Sequence, residues 1–159
     1  MKITLITVGK IKEKYWREAI AEYEKRLSKF CKLTILEVAD EKTPEHASVN
    51  ENKQILEKEG ARIKNLLPKD SYVIAMAIEG KKVDSISFSR MLQSISTNGV
   101  NHFTFLIGGS LGLLEEIKKQ ADASISFSDL TFPHQLMRVL LLEQIYRAFK
   151  ISANEPYHK

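Results

Sequence analysis

The sequence has 159 residues, of which 43% are hydrophobic and 28% are charged, and its formal net charge at pH 7 is +4. This length and composition predict one domain that can bury a core, and they exclude a disordered or low-complexity chain. Cys31 is the only cysteine, which excludes an intramolecular disulfide and a cysteine-based metal site and favours the cytoplasm.

The first strand and helix carry most of the positive charge. Residues 1–32 contain nine Lys or Arg and four Glu, a local charge of +5, whereas the remainder contains 15 basic and 16 acidic residues. Such a patch suits phosphate contacts with a polyanion. It could also be a solvated helix face that keeps the protein soluble. The amino-terminal apolar run, Lys2 to Val8, is too short for a signal peptide, and no segment approaches the length of a membrane span.

Five short apolar runs predict strands, and segments with helical periodicity separate them. Several runs are continuously apolar, which indicates strands buried on both faces. The expected fold class is therefore α/β, with a parallel-rich sheet flanked by helices. The predicted strands are Lys2–Val8, Leu33–Ala39, Ser71–Ile78, Phe103–Ile107 and Ala123–Phe127.

Between these strands, the local signals predict helices and turns. The first helix is expected from about Glu13 to Lys29, and a polar helix from about Val49 to Leu67, interrupted or capped near Gly60. Glu79–Lys82 is predicted to be a turn, and Asp84 or Ser85 to cap the next helix. His46 and His102 have no second ligand nearby in the sequence, so we interpret both as structural and expect no metal site.

A glycine-rich segment, Gly108-Gly109-Ser110-Leu111-Gly112, follows the fourth strand. Glycines at a strand end let a ligand approach the main chain closely, which makes this segment a candidate cofactor cradle. A tight turn from strand to helix explains the same glycines equally well. The glycine spacing and the position after the fourth strand differ from the dinucleotide fingerprint, so a hydride-transfer enzyme is disfavoured.

The last helix is expected from about His134 to Ile151, with Pro133 at its entrance as the first helical residue. It is apolar around most of its circumference. Such a helix is expected to pack between its own sheet and a second subunit, although a central helix in a monomer is the alternative. His134 and Arg138 lie one turn apart. They could bind an anion or an RNA phosphate, or they could both be surface residues at a helix start.

The carboxyl-terminal tail is short and contains a histidine suited to proton transfer near neutral pH. Asn154-Glu155-Pro156 forms a stiff turn that could aim Tyr157 and His158 at a site. The alternative is a frayed chain end.

Several segments together resemble the RlmH family, which consists of small bacterial RNA methyltransferases of the SPOUT superfamily. The resemblance extends over essentially the whole chain, so residues 1–159 are expected to form a single SPOUT methyltransferase domain. The segments that carry it are Ile107–Gly109, Ser126–Leu136, Arg138–Val139, Glu143–Ala148 and Pro156–Lys159. The resemblance implies a homodimer with a carboxyl-terminal trefoil knot. It also implies methylation of nitrogen 3 of a pseudouridine in the 23S rRNA of the assembled ribosome, with S-adenosylmethionine as the methyl donor.

The resemblance also implies the site. At Ser110-Leu111 the sequence departs from the family pattern, so no role is assigned to that pair. The cofactor is expected to lie against Met76, Gly108, Gly109, Phe127, Ser128, Asp129, Leu130, Thr131 and Phe132, with backbone groups there holding its adenine and ribose.

Methyl transfer from a sulfonium depends mainly on positioning, and loss of the imide proton assists it. The hypothesis is that His158 or Tyr157 reaches the partner subunit's cleft, orients the base and assists departure of the proton, while Arg138 holds RNA phosphate. A non-enzymatic ribosome-assembly factor that only binds RNA is the alternative.

Overall fold

The computed structural model describes residues 1–158, so Lys159, the last residue of the expected tail, lies outside the described residues. Its five strands form one parallel sheet in the order β2-β1-β4-β3-β5. The predicted α/β class and the parallel sheet flanked by helices are confirmed. The elements are β1 (Lys2–Val8), α1 (Lys14–Leu27), β2 (Lys32–Val38), α2 (Val49–Leu66), β3 (Tyr72–Lys82), α3 (Ser85–Thr97), β4 (His102–Ile107), α4 (Glu115–Gln120), β5 (Ala123–Ser126) and α5 (His134–Ser152).

Hydrophobic cores cover both faces of the sheet. On one face, Leu5 of β1 and Phe105 of β4 pack with side chains of α1, α3 and α5. On the other face, Ile6 and Leu106, the next residues along the same strands, pack with side chains of α2 and α4. Since successive side chains of a strand point to opposite faces, this arrangement requires continuously apolar strands.

β3 is longer than the sequence predicts. The expected turn at Glu79–Lys82 is wrong, because Lys81 and Lys82 pair with Ile125 and Ser126 of β5 after a shift in register beyond Met76. At Gly80 a Cβ atom would lie 2.7 Å from the backbone of Ile125, so the close approach of the two strands requires glycine there. Pairing with a distant strand thus overrides the local turn signal.

α2 runs without interruption through Gly60, so the expected break near this residue is wrong. Gly60 is buried, and a Cβ atom added to it would lie 2.9 Å from Cδ2 of Leu114. The glycine lets the helix pack closely against the segment before α4. Ser48 and Glu51 form a capping box at the start of α2, and Asp84 caps α3 as predicted.

α5 packs against α1, α3 and the sheet through buried Leu141, Leu142 and Ile145. The hydroxyl of Ser89 in α3 donates a hydrogen bond of 2.9 Å to the carbonyl oxygen of Ala148. This contact joins the carboxyl-terminal half of α5 to α3. Pro133 is the N-cap of α5 rather than its first helical residue, and the helix begins at His134 as predicted. The expected packing of α5 against a second subunit stays a prediction.

The two histidines interpreted as structural lie in different settings. His102 shares a hydrogen bond of 2.9 Å between its Nε2 and Oγ1 of Thr4, whereas His46 is exposed in the loop before α2. Within residues 1–158, no group of three or more His, Cys, Asp or Glu side chains is placed to hold a metal ion. No helix in the same range is both long and apolar enough to cross a membrane.

Candidate active site

The carboxyl ends of β4, β3 and β5 lie side by side at one edge of the sheet. In the middle strand, Met76 pairs with Ile107 of β4 and with Ile125 of β5. The segments that follow these two partners therefore start next to each other. In open parallel sheets, ligands bind just outside the carboxyl ends of the strands.

A cavity of about 630 Å³ opens at this edge. Its volume lies within the range of roughly 300–1,000 Å³ typical of small-molecule sites. The cavity brings together eight of the nine residues expected to hold the cofactor, namely Met76, Gly108, Gly109, Phe127, Ser128, Leu130, Thr131 and Phe132. Their role as cofactor contacts remains a prediction.

Asp129 is the one expected cofactor residue that does not line the cavity. Its carboxylate pairs with Nζ of Lys82 at 2.5 Å, and both side chains are largely exposed. This surface ion pair holds the loop after β5 against the end of β3, but such pairs contribute little to stability. Asp129 therefore lies outside the cavity wall.

The double glycine forms a turn that is folded tightly on itself. A Cβ atom at Gly108 would lie 2.3 Å from the carbonyl carbon and oxygen of Gly112, so no larger residue fits at this position. The amide of Gly112 donates a hydrogen bond of 3.0 Å to the carbonyl oxygen of Gly109, and Gly112 has a positive φ of 79°. The glycines are thus needed for the turn itself, and they also leave that wall of the cavity without side chains.

The loop after β5 is held by short-range hydrogen bonds. The hydroxyl of Ser126 donates to the carbonyl oxygen of Ser128 at 2.9 Å, and the amide of Leu130 donates to Oγ of Ser128 at 2.9 Å. The ring of Phe127 packs edge-on against Phe88 of α3, with a centroid distance of 5.5 Å. These contacts give the loop a defined shape, as a preorganised site requires.

Arg138 is fully buried, and its guanidinium joins three elements. Nη1 donates to Oε1 of Glu37 in β2 at 2.5 Å, and Nη2 donates to the carbonyl oxygen of Gly9 at 2.5 Å. Nη2 also lies 3.1 Å from Nδ1 of His134. The interpretation of His134 and Arg138 as surface residues is therefore wrong. A buried, paired guanidinium is also not available to an RNA phosphate in this chain.

His134 forms part of the cavity wall. Burial, followed by the positive charge of Arg138, lowers the pKa of His134 below its ordinary value. Since a guanidinium can only donate hydrogen bonds, Nδ1 of His134 accepts from Arg138 and the neutral ring carries its proton on Nε2. His134 is thus a neutral hydrogen-bonding group at the cavity.

The tail lies on α5 of its own chain. The hydroxyl of Tyr157 donates a hydrogen bond of 3.0 Å to Oε2 of Glu143, and the guanidinium of Arg147 lies 4.7 Å from the centroid of the Tyr157 ring. Nδ1 of His158 lies 3.3 Å from Nη1 of Arg147. Neither Tyr157 nor His158 lines the cavity of this chain. Within one chain, the structure therefore does not bring Tyr157 and His158 to the cavity that the expected cofactor residues line.

These contacts decide how the tail can act chemically. Burial, followed by the hydrogen bond to Glu143, raises the pKa of Tyr157 above its ordinary value, so the phenol keeps its proton. Arg147 offers only donors, which makes Nδ1 of His158 the acceptor and leaves the proton of the neutral ring on Nε2. In this arrangement neither tail side chain is a free base. His158 presents a donor at Nε2, whereas the single O–H of Tyr157 is donated to Glu143.

Sequence reasoning missed two charged residues of the cavity wall. Nζ of Lys118 contacts the carboxylate of Glu79, and it lies 2.7 Å from Oε2 of Glu115. Lys118 and Glu79 both line the cavity. The spacing of Glu115 and Lys118 on one helix turn is visible in the sequence, but the partnership with Glu79 depends on the length of β3.

Comparison with known proteins shows the family of this chain. The family model described as "Predicted SPOUT methyltransferase" matches residues 1–158. Proteins named Ribosomal RNA large subunit methyltransferase H are similar to this chain over 100% of both lengths, with 61% identity in Bifidobacterium adolescentis, 57% in Leuconostoc mesenteroides and 54% in Clostridium perfringens. The resemblance inferred from the sequence motifs is confirmed.

Proposed function

This chain belongs to the SPOUT methyltransferase family, and we propose that it methylates 23S rRNA with S-adenosylmethionine as the methyl donor. The chain is an rRNA methyltransferase, as its relatives are named. The observation that carries the proposal is the cavity at the ends of β3, β4 and β5, whose lining matches the expected cofactor residues with the exception of Asp129.

The cavity fits a ligand with a flat aromatic ring and polar ends. Side chains of Met76, Ile107 and Leu113 provide an apolar wall, and the glycine turn and the loop after β5 provide main-chain groups. When bound, S-adenosylmethionine supplies a methyl group that is already activated by its sulfonium. The chain therefore has to bind, orient and exclude water, and good alignment of the reacting groups can supply roughly 7–11 kcal/mol.

We propose nitrogen 3 of a pseudouridine as the methyl acceptor, and the RlmH resemblance supports this choice. In the reaction the N–H bond of the imide breaks, a bond from nitrogen to the methyl carbon forms, and the sulfur keeps the electron pair of its broken bond. Negative charge develops on the imide as its proton leaves. Hydrogen-bond donors placed at the flanking carbonyl oxygens would stabilise this charge.

We assign that donor role to the tail. His158 presents Nε2–H, which suits hydrogen bonding to a carbonyl oxygen better than it suits removal of a proton. Tyr157 keeps its proton but donates it to Glu143, so we assign Tyr157 a positioning role in the tail. The imide proton then passes to solvent. Since neither side chain lines the cavity of its own chain, we propose that the tail acts in the partner subunit's cleft.

Arg138 takes a positioning role in this proposal. Its buried hydrogen bonds to Glu37 and Gly9 tie the first turns of α5 to the sheet. His134 and Met137 extend from these turns into the cavity wall. The ion pair therefore sets the shape of the cavity without contacting RNA.

The remaining details of the proposal are a homodimer, a carboxyl-terminal trefoil knot, a cytoplasmic location and action on the assembled ribosome. They are supported by the RlmH resemblance and by the similarity of the chain to rRNA methyltransferases. The incomplete site of a single chain, with its cavity and tail apart, favours the dimer in particular.

Two measurements test the function. Calorimetry should detect binding of S-adenosylmethionine by the purified protein, whereas an RNA-binding assembly factor would take up none. Ribosomes from a strain that lacks this activity should gain one methylated pseudouridine in 23S rRNA after incubation with the protein and the cofactor, as judged by mass spectrometry of nucleosides. Cofactor binding without rRNA methylation would contradict the proposed substrate.

A further inference from the structure

The loop between β1 and α1 and the first turn of α1 expose basic and aromatic side chains. Lys10, Lys12, Lys14 and Tyr15 are all exposed, and we refer to these four residues as the β1–α1 surface. Tyr15 is a large hydrophobic side chain that is nevertheless 62% exposed. An exposed aromatic ring among lysines needs an explanation beyond solubility, because lysines alone would serve that purpose.

This surface is anchored to the wall of the cavity. A Cβ atom added to Gly9, the first residue of the loop, would lie 2.9 Å from Cε1 of His134, which lines the cavity. Two residues later, the amide of Ile11 donates a hydrogen bond of 3.3 Å to Oε1 of Glu37, the carboxylate that pairs with Arg138. A polymer bound along the loop would therefore pass directly beside the cavity.

The charges of the surface are available for binding. Lys10 and Lys12 form no ion pair with any residue in the described range 1–158. Lys14 lies 3.5 Å from Glu18, but both side chains are more than half exposed, so this pair is weak. Arg17 donates a hydrogen bond of 2.6 Å to the carbonyl oxygen of Lys12 and so supports the loop.

The ring of Tyr15 has the support that a stacking platform needs. It contacts the half-buried ring of Trp16 with a centroid distance of 5.1 Å and an interplanar angle of 56°. Proteins that bind single-stranded nucleic acid combine a basic groove with aromatic rings on which bases stack. Duplex recognition, in contrast, relies on phosphate and groove contacts and offers no free base to such a ring.

We propose that the β1–α1 surface binds a single-stranded segment of the RNA substrate, with a base stacked on Tyr15 and phosphates on Lys10 and Lys12. This inference rests on the proposed function, since it assigns a binding surface for the rRNA next to the cavity. It also predicts that the target nucleotide lies in an unpaired region. The bases of the strand must be unpaired and unstacked before one can reach the ring of Tyr15 and the target can reach the cavity.

The test uses the full-length protein and two fluorescent RNA probes, a twelve-nucleotide single strand and the same strand in a duplex. Tyr15→Ala should weaken binding of the single strand about 5- to 100-fold, as expected for one lost stacking contact. Its effect on the duplex should be small, and Tyr15→Phe should bind the single strand like the wild type. Lys10→Gln combined with Lys12→Gln should lower the salt dependence of single-strand binding by about 1.4 in log–log slope.

The matched control removes the same charge elsewhere. Lys58 and Lys69 are exposed residues of α2 and of the turn before β3, so Lys58→Gln with Lys69→Gln should leave RNA binding unchanged. Calorimetry with S-adenosylmethionine should give wild-type affinity for every variant, which separates failure of the surface from failure of the cofactor site.

Two outcomes would overturn the proposal. Unchanged binding of the single strand by Tyr15→Ala would remove the stacking role. A change in the molar mass of Tyr15→Ala in light scattering would assign the surface to contact with a second copy of the chain.

Discussion

Arg138 and Gly9 lie 129 residues apart in the sequence, yet Nη2 of the arginine donates a hydrogen bond of 2.5 Å to the carbonyl oxygen of the glycine. The same guanidinium pairs with Glu37 at the end of β2. One buried side chain thus connects the carboxyl ends of β1 and β2 to α5. Because α5 supplies part of the cavity wall, this connection couples the stability of the fold to the shape of the site.

Replacing Arg138 should therefore destabilise the protein. Arg138→Met removes the hydrogen bonds to Glu37, Gly9 and His134 and leaves Glu37 without its partner, and we expect the free energy of unfolding to fall by about 3 kcal/mol. Urea denaturation at a fixed protein concentration measures this change. Arg90→Met, at an exposed position of α3, should change the free energy by less than about 0.5 kcal/mol. Similar values for the two variants would contradict the role given to the buried ion pair.

A comparison of alanine substitutions at Gly9 and Gly99 measures how much close packing adds to the cost of backbone strain. Both have a positive φ, 90° and 96°, but a Cβ atom at Gly9 would lie 2.9 Å from His134, whereas nothing lies within 4 Å at Gly99. Gly99→Ala should cost about 1 kcal/mol through backbone strain alone, and Gly9→Ala about 3 kcal/mol because the ring of His134 must also move. Thermal unfolding compares the two variants, and equal losses would exclude the clash.

His134 should titrate below the ordinary pKa of histidine. Burial and Arg138 lower its pKa in the folded state, so the unfolded chain binds the proton more tightly. Folding stability should then fall as the pH drops through the ordinary pKa near 6.5, and it should be fully present above that value. NMR titration of the ring protons gives the pKa directly. The pH dependence of stability between 7.5 and 5.5 should be weaker in His134→Gln, and identical profiles would contradict the prediction.

Gly108→Ala should disrupt the cofactor site. Its Cβ atom would occupy a position 2.3 Å from the backbone of Gly112, so the turn must open. We expect at least about 10-fold weaker binding of S-adenosylmethionine in calorimetry, since a displaced wall loses both contacts and preorganisation. Gly99→Ala, which strains the backbone at a residue outside the cavity lining, controls for a general loss of stability. Unchanged cofactor affinity in Gly108→Ala would show that the turn is not part of the site.

Removal of the tail should affect turnover rather than cofactor binding. Deletion of residues 157–159 leaves the lining of the cavity intact. We therefore expect cofactor affinity within about 2-fold of the wild type and a loss of roughly 100-fold or more in rRNA methylation. Tyr157→Phe keeps the ring and removes only its donor to Glu143, so its loss should be smaller. Normal turnover of the deletion variant would eliminate the tail from the reaction.

Coexpression of the deletion variant with Gly108→Ala tests whether the tail acts across the dimer. A mixed dimer would hold one intact cavity that faces one intact tail. The assay uses a cofactor concentration too low to occupy the Gly108→Ala cavity, so that each variant alone has little activity. With random pairing, about one quarter of the wild-type activity should return. No recovery in a preparation that contains mixed dimers would restrict the tail to its own chain.

The sequence by itself determined the local elements and the family. Short, mainly apolar runs located all five strands to within a few residues, and β1 matches its predicted range, Lys2–Val8. The motifs after the fourth and fifth strands identified the segments that line the cavity. Both kinds of signal are local, because periodicity, turn chemistry and motifs each depend on neighbouring residues.

Only the tertiary structure decided the length of β3, the burial of Arg138 and the position of the tail. The first two depend on partners far away in the sequence, namely β5 for Lys81 and Lys82, and Glu37 and Gly9 for the guanidinium. The tail depends on how the chain turns back after α5, which brings His158 to Arg147, 11 residues before it. An arginine in a sequence is expected at the surface, because burying its charge is costly without a partner. The fold brings that partner to it, and nothing local to the helix could have shown this.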